Sequence, residues 1–353
     1  MTPLQQQQPG CPDFMDTWMD ALAHDPPTLK NDTANRPNVT IVIPSYRSER
    51  TLAAVLERLT RELPAAVREV LVVESGGRPA VTDICHRFAA VRVMNSSRRL
   101  SPGAARNTGA RATESDFILF LDADCMPAPG WGIWLAELLG AGHPVMSAAI
   151  DNGTPHSWAG SVQFWLEFMD FSPCNAAGRR PFISTYCLLC RRDVYEATAG
   201  FQEDYFMGED IIFSYQLGRL GYPLFFSNRW QVRHLNRTRF GEVFPHLYRL
   251  GWWSSLVRSG YPEVRGSFLR HSPFLIPILI PFRYARLCRR LFTSSRLTRC
   301  AKMVVALLAW PSLTVWCAGF MKGMIRSLLA NKRRPATGIH PETQPTVYHQ
   351  GKK

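Results

Sequence analysis

The sequence predicts an α/β fold with a doubly wound, mostly parallel β-sheet and apolar helices at its C-terminal end. Short runs of β-branched and aliphatic residues alternate with amphipathic helical segments as far as residue 121. This alternation is typical of a parallel sheet with crossover helices. Polar residues follow the apolar runs directly, and residues beyond 272 are rich in apolar and basic side chains. Apolar residues make up 46% of the 353 residues, which excludes a disordered or fibrous protein.

Four strands and three helices are predicted in the first half of the chain. The strands, which read as buried on both faces, cover 39–43, 69–74, 91–94 and 117–121. The helices between them cover 52–59, 79–88 and 101–112. Ligands of such sheets bind beyond the carboxyl ends of the strands. These ends carry Tyr46, Glu74, Asp122 and Asp124.

The second half has a less regular pattern, and the chain divides into five parts. The predicted elements are a helix over 158–171, a strand over 182–191 that leads into a short helix at 193–197, a helix over 209–220 and a final strand at 232–234. The predicted parts are a disordered tail (1–37), the principal domain (38–240), a linker with interfacial helices (241–271), apolar membrane-associated or transmembrane segments (272–330) and a basic disordered tail (331–353).

The net charge is concentrated at the C-terminal end. The chain carries 41 Lys and Arg against 28 Asp and Glu, a formal charge of +13. Residues 283–353 hold 14 basic residues and one acidic residue, Glu342, so this stretch accounts for the entire excess. A nucleic-acid-binding protein would spread basic residues over its reading domain. A basic tail around apolar segments fits an anionic membrane surface better, and we expect no nucleic-acid partner.

Two apolar segments of the tail could contact a membrane. Residues 273–282 are too few to cross a bilayer as a helix and suit an interfacial segment. Residues 303–321 carry no charge and would measure about 28 Å as a helix, close to the thickness of the hydrocarbon core. Pro311 weakens a regular span, so spanning, in-plane docking and burial in the core stay open. Without a signal peptide pattern, we expect the domain at the cytoplasmic face of the cell membrane.

The sharpest local motif is the pair Asp122 and Asp124, which directly follows a buried strand. Oxygen ligands in this arrangement suit Mg²⁺ or Mn²⁺, which could neutralise a diphosphate leaving group. The alternative is a polar strand end with turn-forming aspartates. The nine cysteines show no metal-ligand spacing, so we expect reduced thiols.

Other polar residues are expected near the same edge of the sheet. Tyr46, after Pro44 and Ser45, could stack on a base, and Glu74 could face a ribose or a base edge. For each of these, simple turn chemistry is the alternative. Arg106 lies on the helix that opens toward this rim, and it could contact an anionic ligand or pair with a site carboxylate.

A second acidic cluster, Glu209 and Asp210, begins a predicted helix. One acid could position a hydroxyl acceptor while the other removes its proton. Helix capping is the alternative. His234 ends the last predicted strand, where it could contact a metal or a diphosphate, or serve only the structure.

Five ordered motifs resemble those of the family 2 inverting glycosyltransferases, which have the GT-A fold. The motifs, which cover roughly 38–240, are VTIVIPSYRSERTL, EVLVVESGG, LSPGAARNTGA, FILFLDADCMPAPGW, and FMGEDIIFSYQLGRLGYPLFF with VRH after it. The resemblance implies a Rossmann-like nucleotide-binding half, an acceptor half, and transfer of a sugar from a nucleoside-diphosphate-sugar to a hydroxyl. The C-terminal segments resemble those of membrane-associated members, which implies a lipid-linked or surface polysaccharide precursor as acceptor.

The resemblance also implies a role for each site residue. The nucleoside would be held by Pro44, Ser45, Tyr46 and Glu74. Asp122 would lie near the ribose and the metal, Asp124 would coordinate Mn²⁺ or Mg²⁺, and His234 would lie near the metal and the diphosphate. On the acceptor side, Asp210 would be the catalytic base with Glu209 beside it.

The sequence departs from the family pattern in two places. Glu74 stands where the family often has Asp, and no Gln-x-x-Arg-Trp motif follows Asp210. The second departure disfavours processive synthesis, so transfer of one or a few sugars is expected. The main alternative is a non-catalytic membrane-associated scaffold with a decayed site. An aspartyl phosphatase and a sugar nucleotidyltransferase are disfavoured because residue 126 is Met and no Gly-rich basic loop follows the first strand.

Overall fold

A computed structural model describes residues 37–271, 273–293 and 297–332. Almost all of the predicted disordered tail (1–37) and of the predicted basic tail (331–353) lies outside these residues. The division of the chain into five parts stays a prediction.

The first half of the sheet is parallel throughout. Its strands are β1 (Val39–Ser45), β2 (Val67–Ser75), β3 (Val91–Ser96) and β4 (Phe117–Leu121), in the order β3-β2-β1-β4. The helices between them are α1 (Leu52–Thr60), α2 (Pro79–His86) and α3 (Pro102–Arg111). Crossover helices cover both faces, so nearly all side chains of β1 and all of those of β4 are buried. The predicted strands and helices of this half all occur.

The second half of the sheet mixes parallel and antiparallel pairs. Its strands are β5 (Cys125–Pro127), β6 (Val145–Asn152), β7 (Gly178–Arg179), β8 (Cys187–Arg191) and β9 (Phe225–His234). The order continues from β4 as β8-β6-β9-β5, with β7 beside β9. β8 runs antiparallel to β4 and β6, whereas β6 and β9 are parallel. The helices are α4 (Trp131–Gly140), α5 (Trp158–Glu167), α6 (Arg192–Glu196) and α7 (Glu209–Arg219). The predicted α/β class is confirmed.

Two predicted elements are shorter in the structure than in the prediction. The helix predicted over 158–171 ends at Glu167, because the next residues form turns whose carbonyls at Met169 and Ser172 accept bonds from the Asn175 amide. The strand predicted over 182–191 is limited to 187–191. The Ile183 amide donates instead to Ser214 Oγ on α7, at 3.1 Å.

The described residues of the C-terminal region form three helices and two short 3₁₀ turns. The helices are α8 (Phe240–Gly260), α9 (Leu279–Thr293) and α10 (Arg299–Lys332), and the 3₁₀ turns are Ser267–Arg270 and Pro273–Ile278. Among the described helices, α10 alone is long and apolar enough to cross a membrane. One side of α10 is nevertheless buried, since it packs against α5, α8 and α9.

Three glycines bring α8 and α10 into backbone contact. A Cβ on Gly251 of α8 would overlap the carbonyl oxygen of Trp316 on α10. A Cβ on Gly319 or Gly323 of α10 would overlap the Tyr248 carbonyl oxygen or Ser255 Oγ. The two helices are therefore packed more closely than any larger residue would allow.

We expect Gly251→Ala to lower the free energy of unfolding by about 1–3 kcal/mol, because the new methyl group would force α8 and α10 apart. Equilibrium unfolding in urea measures this loss. Gly241→Ala is the matched control, since it lies on the same helix and its Cβ would meet no atom within 4 Å. Equal stability of the two variants would show that α10 does not pack against α8 in solution.

Candidate active site

The carboxyl ends of the strands bring the predicted acidic residues together around one buried arginine. Asp122 and Asp124 follow β4, and His234 ends β9. Arg106 lies on α3, and Glu209 begins α7. The side chain of Arg106 contacts both Asp122 and Glu209, so residues far apart in the sequence share one site.

Asp124 and His234 form the first part of this site. His234 Nε2 lies 3.5 Å from Asp124 Oδ2, and His234 Nδ1 lies 2.8 Å from Asn236 Oδ1. The Asn236 amide nitrogen donates to Asn152 Oδ1 at 3.0 Å and to the His234 carbonyl, which fixes the orientation of the amide. His234 Nδ1–H therefore donates to Asn236 Oδ1, and Nε2 faces the carboxylate of Asp124.

Nearby groups of opposite charge determine the direction in which the pKa values of Asp124 and His234 shift. Burial would raise the pKa of Asp124, but His234 and Arg237 outweigh burial and hold it below the usual value. Burial would lower the pKa of His234, but the carboxylate of Asp124 outweighs burial and raises it. Asp124 is therefore an anion at neutral pH.

This part of the site can supply the ligands of a divalent cation. The ligand atoms of Asp124, Cys125 and His234 lie within 4.8 Å of one another. Carboxylate oxygen and imidazole nitrogen suit Mn²⁺, and the oxygen suits Mg²⁺. Burial raises the pKa of the Cys125 thiol well above its usual value, so this thiol is a poor ligand for a hard cation. The residues present thus fit a site built on Asp124 and His234.

Arg106 links Asp122 to Glu209 in the second part of the site. Its guanidinium donates to Asp122 Oδ1 and to Glu209 Oε1, each at 2.6 Å, and its side chain is 2% exposed. Burial raises the pKa of Asp122, which the charge of Arg106 only partly offsets. Of the two roles left open for Arg106, the structure shows the pairing with site carboxylates.

Asp210 differs from its neighbours because no arginine contacts it in the described structure. Its Oδ1 accepts from the Ile211 amide at 2.8 Å. Burial, followed by the charge of Glu209, raises the pKa of Asp210 to about 7. This carboxyl group can therefore exchange a proton near neutral pH.

The loops after β1 and β2 lie at the same carboxyl edge of the sheet, since β1 is parallel to both β2 and β4. Glu74 is fully buried, and its Oε2 accepts from Ser45 Oγ at 2.5 Å. Burial raises the pKa of Glu74. Pro44 is half-buried in β1, whereas the ring of Tyr46 is exposed and lies under the guanidinium of Arg99 at 4.5 Å. Of these side chains, Tyr46 is the one that faces solvent.

Sequence reasoning missed two cationic residues near the site. Arg237 lowers the pKa of Asp124 by its charge, and its position three residues after His234 was the available signal. The guanidinium of Arg99 lies between the rings of Tyr46 and Phe206, 4.5 and 4.7 Å from their centroids. No sequence pattern indicated that contact, because the two rings are far apart in the chain.

We expect Arg106→Met to destabilise the fold by about 3–5 kcal/mol, because it leaves the carboxylates of Asp122 and Glu209 without their buried counter-charge. Urea unfolding at pH 7 measures the change. Arg111→Met on the same helix should change stability by less than about 0.5 kcal/mol, since this arginine side chain is 65% exposed. Similar losses of stability in both variants would show that the buried ion pairs of Arg106 stabilise the fold no more than an exposed arginine does.

Comparison with known proteins relates this chain to glycosyltransferases. Residues 40–198 match the model of glycosyl transferase family 2. A pre-mycofactocin glycosyltransferase of Mycobacterium tuberculosis is 27% identical over 218 residues, which are 58% of this chain and 44% of that protein. The chain thus spans less than half the length of that relative. An O-antigen chain rhamnosyltransferase of Salmonella typhimurium is 21% identical over 70% of this chain and 87% of its own.

Solved structures show the same fold. A mannosyltransferase of Pyrobaculum calidifontis, in complex with GDP-Man and Mn²⁺, has a TM-score of 0.52 at 17% identity and covers 90% of this chain and 94% of its own. GalNAc-T7 with UDP, GalNAc and Mn²⁺ has a TM-score of 0.50 at 16% identity over 68% of this chain and 51% of its own. The match over 40–198 identifies this part of the chain as a glycosyl transferase family 2 domain, and the acidic residues lie at the carboxyl edge of its GT-A-like sheet.

Proposed function

We propose that the protein transfers a sugar, with inversion, from a nucleoside-diphosphate-sugar to a hydroxyl acceptor by a metal-assisted single displacement. The observation that carries this proposal is the contrast between two nearby acids. Asp124 is held as an anion beside His234, whereas the pKa of Asp210 is raised to about 7. Two carboxyl groups with such different environments can take different roles in one reaction.

On the donor side, Asp124 and His234 would hold the cation, with Asp122 near it and near the ribose. The solved neighbours that contain Mn²⁺ together with GDP-Man or UDP support a divalent cation, Mn²⁺ or Mg²⁺. The cation would neutralise the negative charge that develops on the departing diphosphate. Asn236 would hold the His234 ring in position through its bond to Nδ1.

The nucleoside would lie over the loops that follow β1 and β2. Tyr46 is exposed and could stack on the base, with Pro44 and Ser45 forming the floor of the pocket. Glu74 is buried and bonds Ser45 Oγ, so it would support this floor from below. Arg106 would act on the donor through Asp122, whose carboxylate it holds at 2.6 Å.

On the acceptor side, Asp210 would accept the proton of the attacking hydroxyl. The hydroxyl oxygen then bonds to the anomeric carbon, while the bond from that carbon to the diphosphate oxygen breaks. The electron pair leaves with the nucleoside diphosphate, and the configuration inverts. Glu209 is fixed by Arg106 at 2.6 Å, so it would help to position the acceptor beside Asp210.

The acceptor that we propose is a lipid-linked or surface polysaccharide precursor at the cytoplasmic face of the cell membrane. One relative that matches 70% of the chain is an O-antigen chain rhamnosyltransferase, which supports an acceptor of this kind. The exposed apolar side chains of α10 support membrane association.

Replacing Asp124 by Ala should abolish cation-dependent transfer, because it removes the anionic ligand. Thermal shift with Mn²⁺ and a panel of nucleotide-sugars first identifies the donor, since a bound ligand raises the melting temperature. Release of nucleoside diphosphate then measures turnover. We expect a loss of at least about a hundredfold and loss of the Mn²⁺-dependent thermal shift.

Asp83→Ala is the matched control, because this aspartate is exposed on α2. Unchanged turnover of Asp124→Ala in excess chelator would contradict the metal site. Absence of donor binding and of turnover in the unaltered protein would favour a scaffold with a decayed site.

Replacing Asp210 by Asn should preserve donor binding and lower kcat by about 10²–10⁴-fold, because the amide cannot accept the proton. In the unaltered enzyme, kcat/KM should fall about tenfold for each pH unit below about 7, as the raised pKa leaves Asp210 protonated. Initial rates across pH measure both effects.

Asp204→Asn is the control for Asp210, since Asp204 is an exposed acid a short distance before it in the chain. The control should retain full activity. Full activity of Asp210→Asn, or a profile that is flat between pH 5 and 8, would assign the base to another group.

A further inference from the structure

The outer side of α10 carries a stripe of exposed apolar residues. Met303, Leu307 and Trp310 recur at helical spacing on this side, and Leu307 is 73% exposed. The opposite side, with Ala309, Leu313 and Phe320, is almost completely buried against the rest of the protein. The helix is therefore two-sided, with one apolar side packed and one apolar side open.

The neighbouring helix α9 also carries exposed apolar residues. Phe282 and Phe292 are exposed on α9, Phe282 to 70%. Tyr284 joins the two helices, since its ring meets Trp310 edge-on with the centroids 4.9 Å apart and its hydroxyl donates to the Ala306 carbonyl at 3.1 Å. We call the residues Phe282, Phe292, Met303, Leu307 and Trp310 the docking face.

The charge around the docking face has a single sign. No Asp or Glu occurs between Glu263 and Glu342, whereas this stretch contains many arginines and lysines. Arg289 and Arg299 are exposed on α9 and α10. Cations beside exposed aromatic and aliphatic side chains are complementary to an anionic bilayer. The same cations disfavour a second copy of the chain, because two such faces would repel each other.

The packing of α10 is incompatible with a membrane span. Two guanidinium groups lie against the middle of α10. The guanidinium carbon of Arg283 is 4.0 Å from the centroid of the Trp316 ring, and that of Arg258 is 5.7 Å from the centroid of the Phe320 ring. Both guanidinium groups would enter the hydrocarbon core together with α8 and α9 if α10 crossed it. Charged groups at that depth are costly.

We propose that α10 lies in the plane of an anionic membrane and docks there through the docking face, with its buried side held by the transferase domain. The inference rests on the membrane association proposed above and adds the surface and the orientation. An in-plane α10 places both of its ends on the same side of the bilayer, whereas a span would place them on opposite sides.

The first experiment is flotation of the full chain with lipid vesicles. We expect binding to vesicles of phosphatidylcholine with phosphatidylglycerol and weaker binding to phosphatidylcholine alone. The double variant Phe282→Glu/Leu307→Glu should lower the bound fraction at least about tenfold. It removes two large apolar contacts with the bilayer and places two negative charges against the anionic lipid. Ile133→Glu is the matched control, because Ile133 is 69% exposed on α4.

Folding and turnover are measured on the same samples. Melting curves show whether the double variant is folded, and nucleoside diphosphate release shows whether it retains transferase activity. A folded, active variant that no longer floats supports the docking face. If the unaltered protein floats without turnover, the proposed function fails while the docking face stands.

Three results, from flotation and from light scattering of the same samples, would overturn the inference. One is failure of the unaltered protein to float with anionic vesicles. The second is an equal loss of flotation in the Ile133→Glu control. The third is a dimer in light scattering that Phe282→Glu/Leu307→Glu converts to monomers, which would mean that a second copy covers the face.

The second experiment locates the two ends of α10. Cys300 is exposed near its start, and Lys322 is exposed near its end. In sealed membrane vesicles from cells that express Lys322→Cys, a membrane-impermeant maleimide should label both positions or neither before detergent is added, as read by peptide mass. Labelling of only one of them before detergent would show a span and overturn the in-plane orientation.

Discussion

The site depends on one buried cation. Arg106 lies at the interior of the protein, where a charged group is tolerated only if opposite charges contact it. Its two partners, Asp122 and Glu209, come from the end of β4 and the start of α7, and the second lies 103 residues from Arg106 in the chain. Any geometry in which both carboxylates contact the guanidinium therefore brings the end of β4 and the start of α7 together.

Asp124 and Asp210 differ in pKa because their surroundings differ. The guanidinium of Arg106 contacts Asp122 and Glu209 but not Asp210, so burial and the negative charge of Glu209 outweigh its attraction and raise the pKa of Asp210. Asp124 lies beside His234 and Arg237 instead, and its pKa falls. Asp124 is thus an anion at neutral pH, whereas Asp210 can exchange a proton near neutral pH.

The sequence predicted the parallel half of the fold well, because its signals are local. The β-branched run at 39–43 and the apolar run at 117–121 are strands, and Ser101 caps α3 by accepting from the Ala104 amide. The strands β5 and β6 and the helix α4 were not predicted. A three-residue strand such as β5 is defined only by its partner β9, which lies about a hundred residues further along the chain.

The candidate site was predictable in its composition but not in its internal contacts. The motif at Asp122 and Asp124 and the acids at Glu209 and Asp210 indicated chemistry by their types and positions. Full burial of Glu74 and the stacking of Arg99 depend on side chains from separate loops, and no periodicity encodes such contacts. The roles of these residues in the reaction stay proposals.

The C-terminal helices are connected to the site by a short series of direct contacts. On α8, His246 Nε2 lies 2.7 Å from Glu167 Oε1 at the end of α5, and both side chains are nearly fully buried. The next residue, Phe168, packs its ring 4.6 Å from the ring of His234. Because the glycines of α8 and α10 keep those helices in backbone contact, the helix that would meet the membrane and the histidine that would meet the cation belong to one packed unit. A bilayer that fixes α10 would therefore also fix the orientation of the candidate active site relative to the proposed lipid-linked acceptor.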